Sequence, residues 1–164
     1  MISVERSFEL IGKEELLSLV PHRSGMFLLD RINSYDLEEY SVEAEYDISE
    51  NCLFFDSAAG GIPAWVCIEF IAQVISVLFG LKRREMGEKS RLGFLLSVSS
   101  MKTELPVFKV GSTVVLKAHK INCIDMIYTF DCSAFIEGKN VFKSKLTAID
   151  VEDEAGGNFS KGEK

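Results

Sequence analysis

Histidine is almost missing from this chain: His22 and His119 are the only two in 164 residues. Imidazole chemistry therefore has two possible positions. Cysteine is sparse as well. Its four residues, Cys52, Cys67, Cys123 and Cys132, form no C-x-x-C pair and no Cys/His spacing of a zinc site. No metal and no organic cofactor is expected, and the thiols read as buried and free, as in a reducing cytosol. Positive charge is short: 18 Lys and Arg stand against 25 Asp and Glu, a net charge of −7, which argues against a nucleic-acid partner. Met1-Ile2-Ser3-Val4-Glu5-Arg6 carries no signal-peptide pattern, so a cytoplasmic location is expected. There is no repeat and no linker. The length fits one domain, expected over residues 1–151, with a Gly- and charge-rich tail at 152–164 that is expected to be disordered.

What the chain does have is one long apolar run. Gly60-Gly61-Ile62-Pro63 opens it, and from Ala64 to Leu81 the side chains with real polarity are Glu69, Gln73 and Ser76. Spacings of four and then three put those three on one stripe of a helix. The run approaches the length of a membrane span, but Glu69 would then lie in hydrocarbon. A helix wrapped on all sides by protein fits better. Pro63 suits the first helical position. No Ser, Thr, Asp or Asn stands at 60–62 to cap the helix, which leaves the amides of Ala64, Trp65 and Val66 for an oxyanion. A carboxylate on so apolar a helix has a partner, takes up a proton or faces a wet cavity.

Around that helix the patterning is mostly strand. Lys13–Val20 reads as a short amphipathic helix closed by Pro21. Phe27–Ser34 and Tyr40–Ile48 read as strands, the second with Val42, Ala44, Tyr46 and Ile48 on one face. Residues 49–61 read as loop. After the helix come Leu92–Leu105, Thr113–Ile121, Met126–Ile136 and Val141–Val151, with a hairpin turn at Glu137-Gly138-Lys139-Asn140. A helix apolar all round, among antiparallel strands, must be enclosed by the sheet. That is an α+β hot-dog fold, a curved antiparallel sheet around one central helix.

Three segments then resemble one family in its own order, over roughly residues 16–150. Leu19-Val20-Pro21-His22-Arg23-Ser24-Gly25-Met26-Phe27-Leu28-Leu29-Asp30-Arg31 is similar to the opening of the bacterial 3-hydroxyacyl-acyl-carrier-protein dehydratases. Pro63-Ala64-Trp65-Val66-Cys67-Ile68-Glu69-Phe70-Ile71-Ala72-Gln73 resembles their central helix, and Gly93-Phe94-Leu95-Leu96 the strand after it. The helix wording resembles the dehydratase-like branch of aryl-polyene and related pigment clusters. One departure is plain. The family carries a histidine in a G-H-F-P segment before the helix. Here that region is Phe54-Phe55-Asp56-Ser57-Ala58-Ala59-Gly60-Gly61, with none.

The resemblance implies elimination of water from a 3-hydroxyacyl thioester held on an acyl carrier protein by its phosphopantetheine. Glu69 would pass a proton to the leaving hydroxyl, its apolar surroundings raising its pKa. The Ala64 and Trp65 amides would polarise the thioester carbonyl. His22 is either the base at C2 or a residue that shapes the tunnel; His119 reads as solvent-facing. Gln73 would support Glu69 or the backbone, and Trp65, Phe70 and Phe94 would line core or tunnel. Lys82-Arg83-Arg84, with Lys89 and Arg91, is either a solvated helix end or the dock for an acidic carrier. A homodimer, or a heterodimer with a related hot-dog subunit, is expected. Two rival functions stay open: an acyl-binding support subunit of a heterodimeric dehydratase, and a hot-dog thioesterase.

Overall fold

The computed structural model describes residues 11–19, 27–89 and 93–150. Its elements run β1 (Ile11–Gly12), α1 (Lys13–Leu19), β2 (Arg31–Asp36), β3 (Ser41–Asp47), β4 (Gly61–Pro63), a 3₁₀ turn (Ala64–Val66), α2 (Cys67–Glu85), β5 (Gly93–Thr103), β6 (Val107–Lys109), β7 (Thr113–Ile124), β8 (Ile127–Ile136) and β9 (Lys139–Asp150). Seven strands form one antiparallel sheet in the order β1-β2-β3-β7-β8-β9-β5. β4 and β6 form a separate two-stranded ribbon.

The enclosed helix and the order of the main strands are as expected. Val42, Ala44, Tyr46 and Ile48 are all buried on the inner face, joined there by Leu116 and Ala118 of β7, Phe130 of β8 and Phe142 and Leu146 of β9. α2 answers them with Phe70, Ile71, Val74, Val77 and Leu78, each fully buried. The stretch Ala64–Glu85 is long and apolar enough to cross a bilayer, yet 72% of its apolar window is buried within this fold. Gly80 lets α1 close on it: a Cβ there would stand 2.5 Å from the Leu19 carbonyl oxygen.

Several local expectations shift. The strand expected from Phe27 starts at Arg31. Pro63 is not the first residue of the long helix. It ends β4 and precedes the 3₁₀ turn, so the regular helix begins at Cys67. The β4–β6 ribbon within the expected loop and connection depends on Gly61, where a Cβ would stand 2.1 Å from the Phe108 carbonyl oxygen. Cys52, Cys67 and Cys132 are buried free thiols, but Cys123 is exposed.

β5 is the exception to burial. All eleven of its residues are exposed. Leu95, Val98 and Met101 lie opposite Ala148, Leu146 and Ser144 of β9, which face inward, so they share the inner face. They nevertheless keep 41%, 40% and 49% of their surface in contact with solvent. Among the described residues the sheet therefore ends in a strand whose free edge is unpaired and whose inner face is exposed.

Candidate functional site

The β4–β6 ribbon fixes the mouth of the central helix. Val107 pairs with Pro63, and Pro106, one residue earlier, turns its carbonyl to the next amide along. The Ala64 N–H donates to that Pro106 oxygen at 2.9 Å. This corrects the expectation that the Ala64 amide is left for a ligand. The reason is the ribbon, which supplies from a distant segment the cap that the local sequence lacks. The Trp65 N–H donates no bond outside its own helix among the described residues. It is the amide left at the positive end of the helix dipole.

One turn on, Glu69 is half-buried in the first turn of α2. Its partner is Gln73, which is completely buried. The Leu28 N–H donates to Gln73 Oε1 at 2.7 Å, and Gln73 Nε2 donates to Glu69 Oε1 at 3.0 Å. With its oxygen occupied by Leu28, the Gln73 amide can only offer N–H groups toward Glu69. The segment before β2 thereby orients the carboxyl through Gln73. The two side chains share a stripe because they are four residues apart; the Leu28 amide carries no signal in sequence.

The other proposed side chains separate. Phe70 is core, its ring 5.1 Å from that of Tyr46. Trp65 is 60% exposed and Phe94, on β5, is 51% exposed, so in this chain neither is a buried wall. His119 stands on the outer face, opposite Ser41 and Asp131, with the sheet between it and α2. A cleft of 1110 Å³ lies on that same outer face, lined by Lys117, His119, Asp131, Ser133 and Lys145 among others, and so does not contain Glu69. His22 lies outside the described residues, as do Arg91 and the 152–164 tail. Burial pushes the Cys132 thiol up to about 12 and the Cys67 thiol well above its ordinary value, so neither is a nucleophile at neutral pH.

At the end of α2, where the dock is expected, each of the three basic side chains has an acidic neighbour. Arg83 is buried, its side chain 3% exposed, and it binds Asp150 and Glu88. Lys82 pairs with Glu85 at 2.8 Å and Arg84 with Glu15 at 2.5 Å. Among the described residues, Arg83 is the one of the three whose pair is buried; Lys82 and Arg84 make surface pairs.

Comparison with known proteins agrees with this architecture. The family model described as ApeP-like, ApeP dehydratase, matches residues 14–157. The 3-hydroxyacyl-[acyl-carrier-protein] dehydratase FabZ of Chlamydia trachomatis serovar L2 is 32% identical over 112 residues, 66% of this chain and 72% of that protein. FabZ of Chlamydia abortus is 35% identical over 112 residues, 66% of this chain and 71% of that one. Among solved structures, the dehydratase heterocomplex ApeI:P from Xenorhabdus doucetiae aligns with a TM-score of 0.76 at 23% identity, covering 84% of this chain and 91% of that one. A hypothetical thioesterase with coenzyme A from Streptococcus pneumoniae aligns with a TM-score of 0.56 at 13% identity, covering 72% and 82%. At those identities the structures speak for the fold alone. The family match over most of the chain does more: this protein belongs to the ApeP-like dehydratase family, on the hot-dog fold of the 3-hydroxyacyl-acyl-carrier-protein dehydratases.

Proposed function

We propose that this chain eliminates water from a 3-hydroxyacyl thioester carried by an acyl carrier protein, in fatty-acid or polyene synthesis. The observation that carries the reading is the relay from Leu28 through Gln73 to Glu69, which orients one carboxyl on an otherwise apolar helix. Glu69 gives its proton to the leaving hydroxyl. The Trp65 amide, at the helix mouth, polarises the thioester carbonyl and acidifies C2. The base at C2 is His22 or a side chain of a second subunit. No metal or organic cofactor enters any of these steps.

A second subunit is part of the proposal. Among the described residues β5 has no partner on its outer edge and Leu95, Val98 and Met101 stay exposed, which is costly for groups of that size in water. A related hot-dog subunit adding its own edge strand there would cover both, and the ApeI:P relative is described as a heterocomplex. Sedimentation at micromolar concentration should find the chain as a dimer, alone or with a related subunit. A monomer under both conditions would reject the pairing.

Two observations favour a second reading. The Ala64 amide is occupied, and the 54–61 segment has no histidine, so two of the family's usual groups are not at their usual places. On that reading the chain binds the acyl group and supports a catalytic partner. The test follows both bonds at once: formation of the conjugated enoyl thioester, and release of free thiol. Enoyl formation without thiol release, abolished in the chain's absence, supports dehydration. Thiol release alone points to a thioesterase, and enoyl formation by the related subunit at an unchanged rate without this chain sinks the catalytic role.

A further inference from the structure

Four apolar side chains cross the outer face of the sheet in one row. Ile124 of β7 lies opposite Ile127 of β8, Ile127 opposite Ile149 of β9, and Ile149 opposite Phe94 of β5. Ala148, beside Ile149, is buried on the inner face, so alternation turns the row outward, away from α2. Ile124 is 62% exposed, Phe94 51% and Ile127 38%, and Ile149 is half-buried. A solvated sheet face normally carries polar residues at such positions. Apolar groups of this size, adjacent on four neighbouring strands, mark a surface that something covers.

The rows beside it show what fits. Thr129 lies opposite Thr147, and Asp131 opposite Lys145, the two charges 3.9 Å apart. A second copy turned over onto this face, about a two-fold axis along the strands between β8 and β9, lays its β9 over β8 of the first. Ile127 then meets Ile149 of the other copy, Ile124 meets Phe94, Thr129 meets Thr147 and Asp131 meets Lys145. Each Asp131 gains a second lysine across the contact, which makes an alternating set of four charges. A like-charge match, Lys117 over Lys102, falls at the margin, where twisted sheets diverge. Both are already neutralised, Lys117 by Glu43 at 3.2 Å and Lys102 by Glu104 at 3.1 Å. The face is therefore complementary to itself in both apolar surface and charge.

We infer that the outer face of β7, β8, β9 and β5 is where a second copy of this chain stacks, sheet on sheet. The contact is separate from the pairing at the β5 edge: that pairing extends the sheet, whereas this one doubles it. It does not depend on the chemistry at Glu69. One row of four apolar groups per copy is a small patch, so the contact belongs to the weak class of interfaces.

Sedimentation of the full chain, alone and with a related subunit, reads the contact. Between micromolar concentration and roughly 100 μM the wild-type assembly should double in mass, as a small interface implies. Ile124→Glu changes the most exposed of the four positions, so circular dichroism should stay the same while the doubling weakens by at least about 30-fold. Asp131→Lys and Lys145→Asp should each fail to double alone, because each sets four like charges face to face. An equimolar mixture of those two variants should double again, since each copy then carries the charge that the other lacks. A wild type of constant mass over that range overturns the stacking. So does doubling that survives Ile124→Glu, or a mixture that associates no better than its components. Binding to zwitterionic lipid vesicles without any doubling, abolished by Ile124→Glu, would give the row to a membrane and also overturn it. A wild type that is a single copy at micromolar concentration and doubles by this route separates the two contacts: the β5 pairing fails and the stacking stands.

Discussion

Arg83→Ala should destabilise the chain by about 3–5 kcal/mol, the usual cost of removing one member of a buried ion pair. Arg83 Nε donates to Asp150 Oδ1 at 3.1 Å and Nη1 to Glu88 Oε2 at 3.2 Å, while its own side chain is 3% exposed. Asp150 closes β9 and is only 13% exposed, so the substitution would leave it buried without its partner. Arg83 also lies in the last turn of α2, where a cation suits the carbonyl end of the helix. It therefore ties the central helix to the strand next to β5. Arg84→Ala is the control. Its pair with Glu15 is about half exposed on both sides and should contribute at most about 1 kcal/mol. Urea melts of both variants provide the check. An Arg83→Ala midpoint indistinguishable from that of Arg84→Ala would show that the buried pair does not hold the fold.

Glu69→Gln should lower the rate of water elimination by at least about 10²-fold, with a smaller effect on binding. The substitution keeps the shape and an acceptor oxygen for Gln73 Nε2, so the relay to Leu28 survives. What it removes is the exchangeable proton. Melting should therefore stay near that of the wild type while turnover collapses. His22→Ala should cost a similar factor in rate if the imidazole is the base; a smaller loss, confined to affinity, would assign the base to the second subunit. Full activity in Glu69→Gln would make the helix carboxyl structural.

The enclosed helix and the alternation of β3 were legible in the sequence because burial imposes its period directly on the chain. The stripe of Glu69 and Gln73 was legible for the same reason. The partner of that stripe was not. The Leu28 amide and the Pro106 carbonyl belong to the backbone, which carries no residue-type signal, and both come from distant segments. Arg83 was read with its neighbours as surface charge. Consecutive basic residues look alike in sequence, although each points a third of a turn from the last, and only one of these three turns inward. β5 reads as an ordinary strand, yet Phe94, Leu95 and Leu96 are apolar in succession, which half-buried alternation does not require. That run is the trace of a strand with an edge and a face to cover.

Deuterium at C2 is the direct readout of the chemistry. A carrier-bound enoyl thioester is incubated in heavy water with the chain in its assembled form, so that the elimination runs in reverse. The expected result is a 3-hydroxyacyl thioester bearing one deuterium at C2 with the wild type, and at least about 10²-fold less of it with Glu69→Gln. A folded, assembled wild-type protein that returns the enoyl thioester unlabelled, or releases the free acid instead, contradicts a dehydratase built on Glu69.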